Sequence, residues 1–192
     1  MSPLPPKPEV LDFLATRRST AAKTLTGPGP EGAELSDLLT LASRVPDHGK
    51  LTPWRFAAVT GDSRARVAEA AMSRLAALGE DEGAIDKARA VWATGASIVA
   101  VIFSPRESAK IPIWEQEMAA ACVCLSLVNA ALASGWGANW LSGKLSRDPV
   151  FLAETLGAGE GEWSPGFIHL GTPKIIPAER DRPDIAALTT WI

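Results

Sequence analysis

Apolar residues recur along this chain at helical spacing in some stretches and in short continuous runs in others, and the switches mark helices alternating with a few strands. Val10, Leu11, Leu14 and Ala15 share a face with Arg18, which predicts a first helix over 8–18. The Gly- and Pro-dense stretch 27–32 reads as a loop. Leu35, Leu38, Leu39 and Ala42 predict a second helix over 33–43, stopped by Pro46. Residues 54–60 read as a strand ended by Gly61-Asp62, with Ser63 placed to cap a helix over 64–78. A helix over 81–92 then precedes a strand over 97–103 that is apolar on both faces, as in a strand covered on both sides.

The longest pattern runs over 114–134 and is apolar nearly all round from Met118 to Ala133, apart from Ser126 and Asn129. A membrane span needs roughly 20 apolar residues, and this run is shorter and interrupted, so it predicts a buried central helix. Gly135 ends it, 137–141 reads as a strand, Asp148-Pro149 opens a capped helix that stops at Gly157, and 166–171 is the last core strand. Past Pro173 come prolines and charges, then an apolar end over 185–192. A lone domain leaves such an end exposed, so a partner subunit is expected to cover it. With no repeat and no linker, the pattern predicts one domain over 1–192, with a short extended tail over 1–8 and an arm over 174–192 that packs on the partner.

The length of 192 residues is enough for a real core, and 46% hydrophobic with 21% charged residues is ordinary for a soluble globular protein. A net charge of -3 argues against nucleic acid or an anionic membrane as partner, so any anion must be bound locally. Cys122 and Cys124, two apart in a helical run, point to different sides and form no obvious bridge or metal pair. They read as core filling in a reducing cytosol, and with no apolar signal core near the start a cytoplasmic location is expected.

The candidate chemistry is sparse. Arg17 and Arg18 emerge where the first helix ends, and their planar forks with the Ser19 hydroxyl suit a phosphate monoester. The same arginines also complement the negative end of a helix dipole, so both readings stand at this point. His48 lies in a turn beside Pro46 and Asp47, where loop placement favours a site, whereas His169 alternates with apolar neighbours and reads as a buried, satisfied histidine. The chain has no phosphate-cradling glycine loop, no G-x-S-x-G elbow, no metal-ligand spacing and no tyrosine. It is not equipped for hydrolysis, and a bound cofactor must supply the chemistry.

In order, Arg17-Arg18-Ser19, Arg44-Val45-Pro46-Asp47-His48, Thr52-Pro53-Trp54, Trp114-Glu115-Gln116-Glu117-Met118, the run from Gly135 to Gly143 and the run from Gly166 to Pro173 resemble the nitroreductase family of flavoproteins. The likeness is greatest to a compact bacterial subgroup and extends from about Val10 to Pro173. It implies an α+β fold with a central, mostly antiparallel sheet covered by helices, in an intertwined homodimer with two FMN at the interface. Arg17, Arg18 and Ser19 would hold the FMN phosphate and ribityl region from one subunit, and Arg44 and His48 would reach the same flavin from the other. Trp140, Leu141 and Ser142 would pack a strand end against the cofactor. Ala130, Ala131, Leu132, Ala133, Ser134 and Gly135 fall where NADH or NADPH approaches.

No metal ligand and no catalytic side chain is implied, since the chemistry lies on FMN. The implied activity is a ping-pong NAD(P)H oxidoreductase that reduces a nitroaromatic, quinone or similar small acceptor. The alternatives are another flavin dehydrogenase of the same fold and a non-catalytic FMN-binding dimer. Two departures bear on acceptor choice: Leu141 stands where the subgroup has a basic residue, with Lys144 as a nearby stand-in, and Thr52 replaces a glutamine. Trp54 reads as a core or interface anchor.

Overall fold

The protein is described by a computed structural model over residues 5–192, so the first four positions of the expected tail lie outside the described residues. Among the described residues, five strands form the sheet: β1 (Leu25–Thr26), β2 (Trp54–Val59), β3 (Ser97–Phe103), β4 (Gly137–Leu141) and β5 (Trp163–Pro173). Every ladder is antiparallel; β5 pairs with β1, β3 and β4, and β3 with β2. All seven residues of β3 are buried, which is why its sequence is apolar on both faces. The last strand is longer than 166–171 because its ends are set by partners, Phe103 opposite Trp163 and Leu25 opposite Pro173.

Helices cover both faces. On one, α2 (Gly32–Ala42) and α5 (Ile113–Ala133) pack Leu35, Leu38, Val123 and Leu127 onto Val99, Val101, Ile168 and Leu170. On the other, α3 (Ser63–Ala77), α4 (Glu82–Trp92) and α6 (Pro149–Leu156) bring Val67, Met72, Trp92 and Phe151 onto Ile98, Ile102 and Phe167. Trp54 is buried in the first of these cores. Local chemistry sets several boundaries: Asp81 accepts from the Ala84 amide at the start of α4, and Gly157 ends α6 in the left-handed conformation at φ 66°. Ser63 does not cap α3 from outside; it is the first helical residue, and its hydroxyl donates to the Thr60 carbonyl at 2.7 Å to close the preceding turn.

The central helix α5 departs from expectation, because only one of its apolar faces is buried. Ala120, Val123, Cys124, Leu127 and Ala131 line the core, while Trp114, Met118, Cys122 and Leu125 form an exposed stripe. By length and composition α5 qualifies as a membrane span, yet its core face is that of a packed interior helix. Cys124 therefore fills the core, its thiol pushed up to about 12 by burial, but Cys122 does not. The first helix, α1 (Pro8–Thr16), buries no residue and presents Val10, Leu11 and Leu14 outward. At the other terminus α7 (Ile185–Leu188), Trp191 and Ile192 are likewise exposed.

Candidate functional site

Arg17 follows the last turn of α1, its amide donating to the Phe13 carbonyl at 2.8 Å. The segment then runs beside β4: the Thr20 amide donates to the Ala138 carbonyl at 2.9 Å and the Asn139 side chain donates to the Thr20 carbonyl at 2.7 Å. The chain beyond β5 returns to the same place, so Arg17, Arg18 and Ser19 line a cavity of about 100 Å³ together with Arg180 and Arg182. Arg17 donates to the Ser19 hydroxyl at 3.2 Å, while its buried Nε has no partner among the described residues. Glu179 is paired with Arg182 at 2.6 Å and Arg18 at 3.5 Å.

Four guanidinium groups against this one carboxylate leave positive charge in surplus. Burial first, then the fields of Arg182 and Arg180, pull Arg17 below the ordinary guanidinium range, although arginine stays charged throughout. Crowded like charges with a donor left unpaired are relieved by a multiply charged oxyanion. A phosphate monoester fits this nest, and the helix-dipole reading of Arg17 and Arg18 does not account for Arg180 and Arg182 beside them. Those two arginines were missed in the sequence, since a proline-broken arm carries no periodic signal.

A groove of about 260 Å³ adjoins the nest, lined among others by Phe13, Arg17, Leu132, Gly135 and Trp136. It brings the C-terminal end of α5 to the arginines. Of the residues expected to meet a nicotinamide nucleotide, Ala130, Leu132, Ala133, Ser134 and Gly135 keep some exposure, whereas Ala131 is fully buried and faces the core. On β4, the Trp140 indole lies across Gly166 and donates to the Pro165 carbonyl at 3.0 Å; a Cβ at position 166 would collide with the ring, so this approach requires glycine. Leu141 and Ser142, at the end of β4, line a cavity with Trp92, Phe167 and His169. Lys144 does not stand free in place of the missing basic residue, because its ammonium pairs with Glu80.

Arg44 and His48 lie elsewhere. The Asp47 carboxylate accepts from the amides of Leu51 at 3.2 Å and Thr52 at 2.8 Å, holding a tight turn in which Lys50 and Thr52 adopt positive φ. That turn presents His48 to the first turn of α5, with Nδ1 2.7 Å from Glu115 Oε2, a pairing no local signal announced. Beside it, buried Gln116 accepts from the Arg106 amide and donates to the Arg106 carbonyl, securing the loop before α5. Glu115 and Leu132 are seventeen residues apart on one helix, roughly 26 Å at 1.5 Å per residue. One chain therefore keeps His48 at the opposite end of α5 from the arginine nest, while Arg44 follows Leu41, whose carbonyl accepts from Ser126 midway along α5.

His169 is buried as expected but not satisfied: it is 1% exposed, and neither ring nitrogen has a partner among the described residues. Burial chiefly, with the charge of Arg64, lowers its pKa to about 4. No cluster of three or more metal-ligating side chains occurs among the described residues.

Comparison with known proteins places these features in context. The family model described as the nitroreductase family matches residues 14–172. The chain is 38% identical over 167 residues to "Putative NAD(P)H nitroreductase YdjA" of Escherichia coli K12, covering 87% of this chain and 90% of that one. A nitroreductase-like family protein from Bacillus cereus superposes with a TM-score of 0.78 at 23% identity, covering 98% of each chain. A Bacteroides fragilis nitroreductase with bound FMN gives 0.72 at 20% identity, over 96% of this chain and 98% of that one. At such identities the two structures speak for the fold.

Proposed function

This chain belongs to the nitroreductase family, and we propose that it is an FMN-dependent NAD(P)H oxidoreductase acting as a homodimer on a small nitroaromatic, quinone or similar acceptor. The observation that carries the reading is the nest of Arg17, Arg18, Ser19, Arg180 and Arg182, with the Arg17 Nε buried and unpaired among the described residues. It matches the doubly charged end of FMN in charge and in donor type. When bound, FMN supplies the two-electron transfer between nicotinamide and acceptor.

The chain's own groups bind, orient and exclude water. The nest holds the phosphate, Trp140, Leu141 and Ser142 border the ring system, and the groove at Leu132 and Gly135 leaves room for a nicotinamide nucleotide. The exposed stripe of Trp114, Met118 and Leu125 is the dimer seam. If α5 crosses its copy antiparallel about a two-fold axis, the end bearing Glu115 and His48 falls beside the partner's arginine nest. Each flavin site is then completed by Arg44 and His48 across the seam.

The test is a flavin titration of the apoprotein with an assay of nicotinamide oxidation. Arg17→Ala with Ser19→Ala removes charge-assisted hydrogen bonds of about 1.5–3 kcal/mol each, so FMN affinity should fall by tenfold or more. An unchanged dissociation constant overturns the phosphate assignment. Flavin-loaded protein that oxidises neither NADH nor NADPH with nitroaromatic or quinone present identifies an FMN-binding dimer instead.

A further inference from the structure

Beyond β5 the chain is an arm over 174–192 that carries two of the nest's four arginines, yet its tie to the body is slight. The Lys174 amide donates to the Thr24 carbonyl at 2.9 Å. Past that point the one polar link from arm to body among the described residues is the Arg18–Glu179 pair at 3.5 Å, partly exposed on both sides. We propose that the nest is a phosphate-operated latch: an oxyanion bound among Arg17, Arg18, Arg180 and Arg182 fixes the arm, and the fixed arm lays its apolar end on a second copy of this chain. This latch rests on the reading of the nest as a phosphate site and adds that phosphate occupancy and assembly are linked.

Without an anion the arm has little to close on. A solvent-exposed ion pair does little to hold a segment of irregular chain, and Glu179 serves Arg182 as well, at 2.6 Å. Like charges work against closure: the fields of Arg182 and Arg180 reach Arg17, whose buried Nε has no partner among the described residues. A doubly charged phosphate reverses the sign of this contact, because it accepts hydrogen bonds from the arm's guanidinium groups and from those at the end of α1 together. An anion that binds only the closed arrangement shifts the arm toward closure by mass action.

What closure presents is apolar. The last eight residues, 185–192, carry no charged side chain. Ile185, Leu188, Trp191 and Ile192 all stand exposed, Trp191 at 90%, and α7 buries no residue. The arm passes the nest beside the end of α1, and its Ile176 and Pro177 border the groove that reaches Leu132 at the end of α5. The groove thus makes the arm continuous with the α5 seam. With α5 crossed antiparallel, the second copy already stands beside this nest, and two-fold symmetry returns the same apolar surfaces to it, so the occupant is that copy.

Subunit exchange in the full-length apoprotein tests the link. Ordinary and isotope-labelled protein are mixed, and mixed dimers are counted over time by native mass spectrometry, with inorganic phosphate, FMN, riboflavin or chloride at matched ionic strength. Inorganic phosphate is the decisive probe, because it reaches the nest without a ring system. Phosphate and FMN should each slow exchange by roughly fivefold or more and protect the amides of 174–192 from hydrogen exchange, beyond any effect of riboflavin or chloride. Arg180→Ala with Arg182→Ala should remove the phosphate effect. Leu188→Ser with Trp191→Ser, which line no part of the nest, should speed exchange and narrow the preference for FMN over riboflavin by about threefold or more, since linkage is reciprocal. FMN bound no more tightly than riboflavin overturns the phosphate reading and the latch with it. FMN bound more tightly, with exchange unchanged by phosphate, leaves that reading standing and overturns the latch alone. A phosphate effect that survives the loss of both arm arginines, or a chain that stays monomeric with FMN bound, overturns it as well.

Discussion

His169 and Glu162 depart from their ordinary titration ranges for opposite reasons, and each links stability to a separate pH window. Burial holds His169 neutral down to about pH 4, whereas an unfolded imidazole gains its proton near 6.5. Between those values the unfolded chain binds more protons, so this contribution is complete above pH 6.5 and is lost as pH falls toward 4, by up to about 3 kcal/mol. Glu162 is held down to about 2, first by the hydrogen bonds that Arg55 donates. Its contribution is complete above the ordinary value of 4.5 and is lost as pH falls toward 2; because Arg55 is partly exposed, roughly 2 kcal/mol is the expected size. Urea midpoints measured from pH 7 to pH 3 should flatten between 6.5 and 4 in His169→Phe and below 4.5 in Glu162→Gln. A wild-type slope retained in either variant removes that residue as its source. The burial of His169 was legible in its alternation with apolar neighbours; its lack of partners was not, because pairing depends on what other elements present.

The start of α6 shows how one side chain joins two elements. The Asp148 carboxylate accepts from the Phe151 amide at 2.7 Å as a cap and receives both prongs of Arg74, from α3, at 2.8 Å each. It is 7% exposed, and the Arg74 hydrogen bonds are the main reason its carboxyl lies below the usual range. Asp148→Ala leaves the amide and the guanidinium without their acceptor and should cost about 3 kcal/mol, lowering the denaturant midpoint with an unchanged slope. Asp148→Asn keeps a cap acceptor and should lose less. The cap and the Gly157 stop were readable from sequence because both are local chemistry, and the bounds of β3 and β4 match their apolar runs. The two-residue β1 was not readable, since its existence depends on Thr172 and Pro173 opposite. Nor was the exposed stripe of α5: in a helix apolar nearly all round, periodicity cannot say which face meets the core.

At the scale of the whole molecule, a chain of net charge -3 gathers four arginines at one place from segments about 160 residues apart. Arg17-Arg18-Ser19 was legible as a candidate anion site because a helix end and a donor set are local features. Arg180 and Arg182 were not, because only the return of the chain after β5 brings them there. The separation of His48 from this nest along α5 makes the shared site a matter of assembly, and complementation tests it. Let one variant carry Arg17→Ala and another Arg44→Ala with His48→Ala; every site in either homodimer then has a defect. In a mixed dimer with sites shared across the seam, one site collects all the defects and the other collects none. Random reassortment makes half the dimers mixed, so about a quarter of all sites should regain flavin and NAD(P)H-dependent reduction that neither parent shows. If each site were built from one chain alone, every site in the mixture would keep a defect and nothing would be recovered. Absence of recovery, with mixed dimers confirmed by mass spectrometry, would rule out sharing. Arg44 and His48 are exposed and Arg17 lies outside the sheet core, so each parent should fold and the comparison rests on assembly alone.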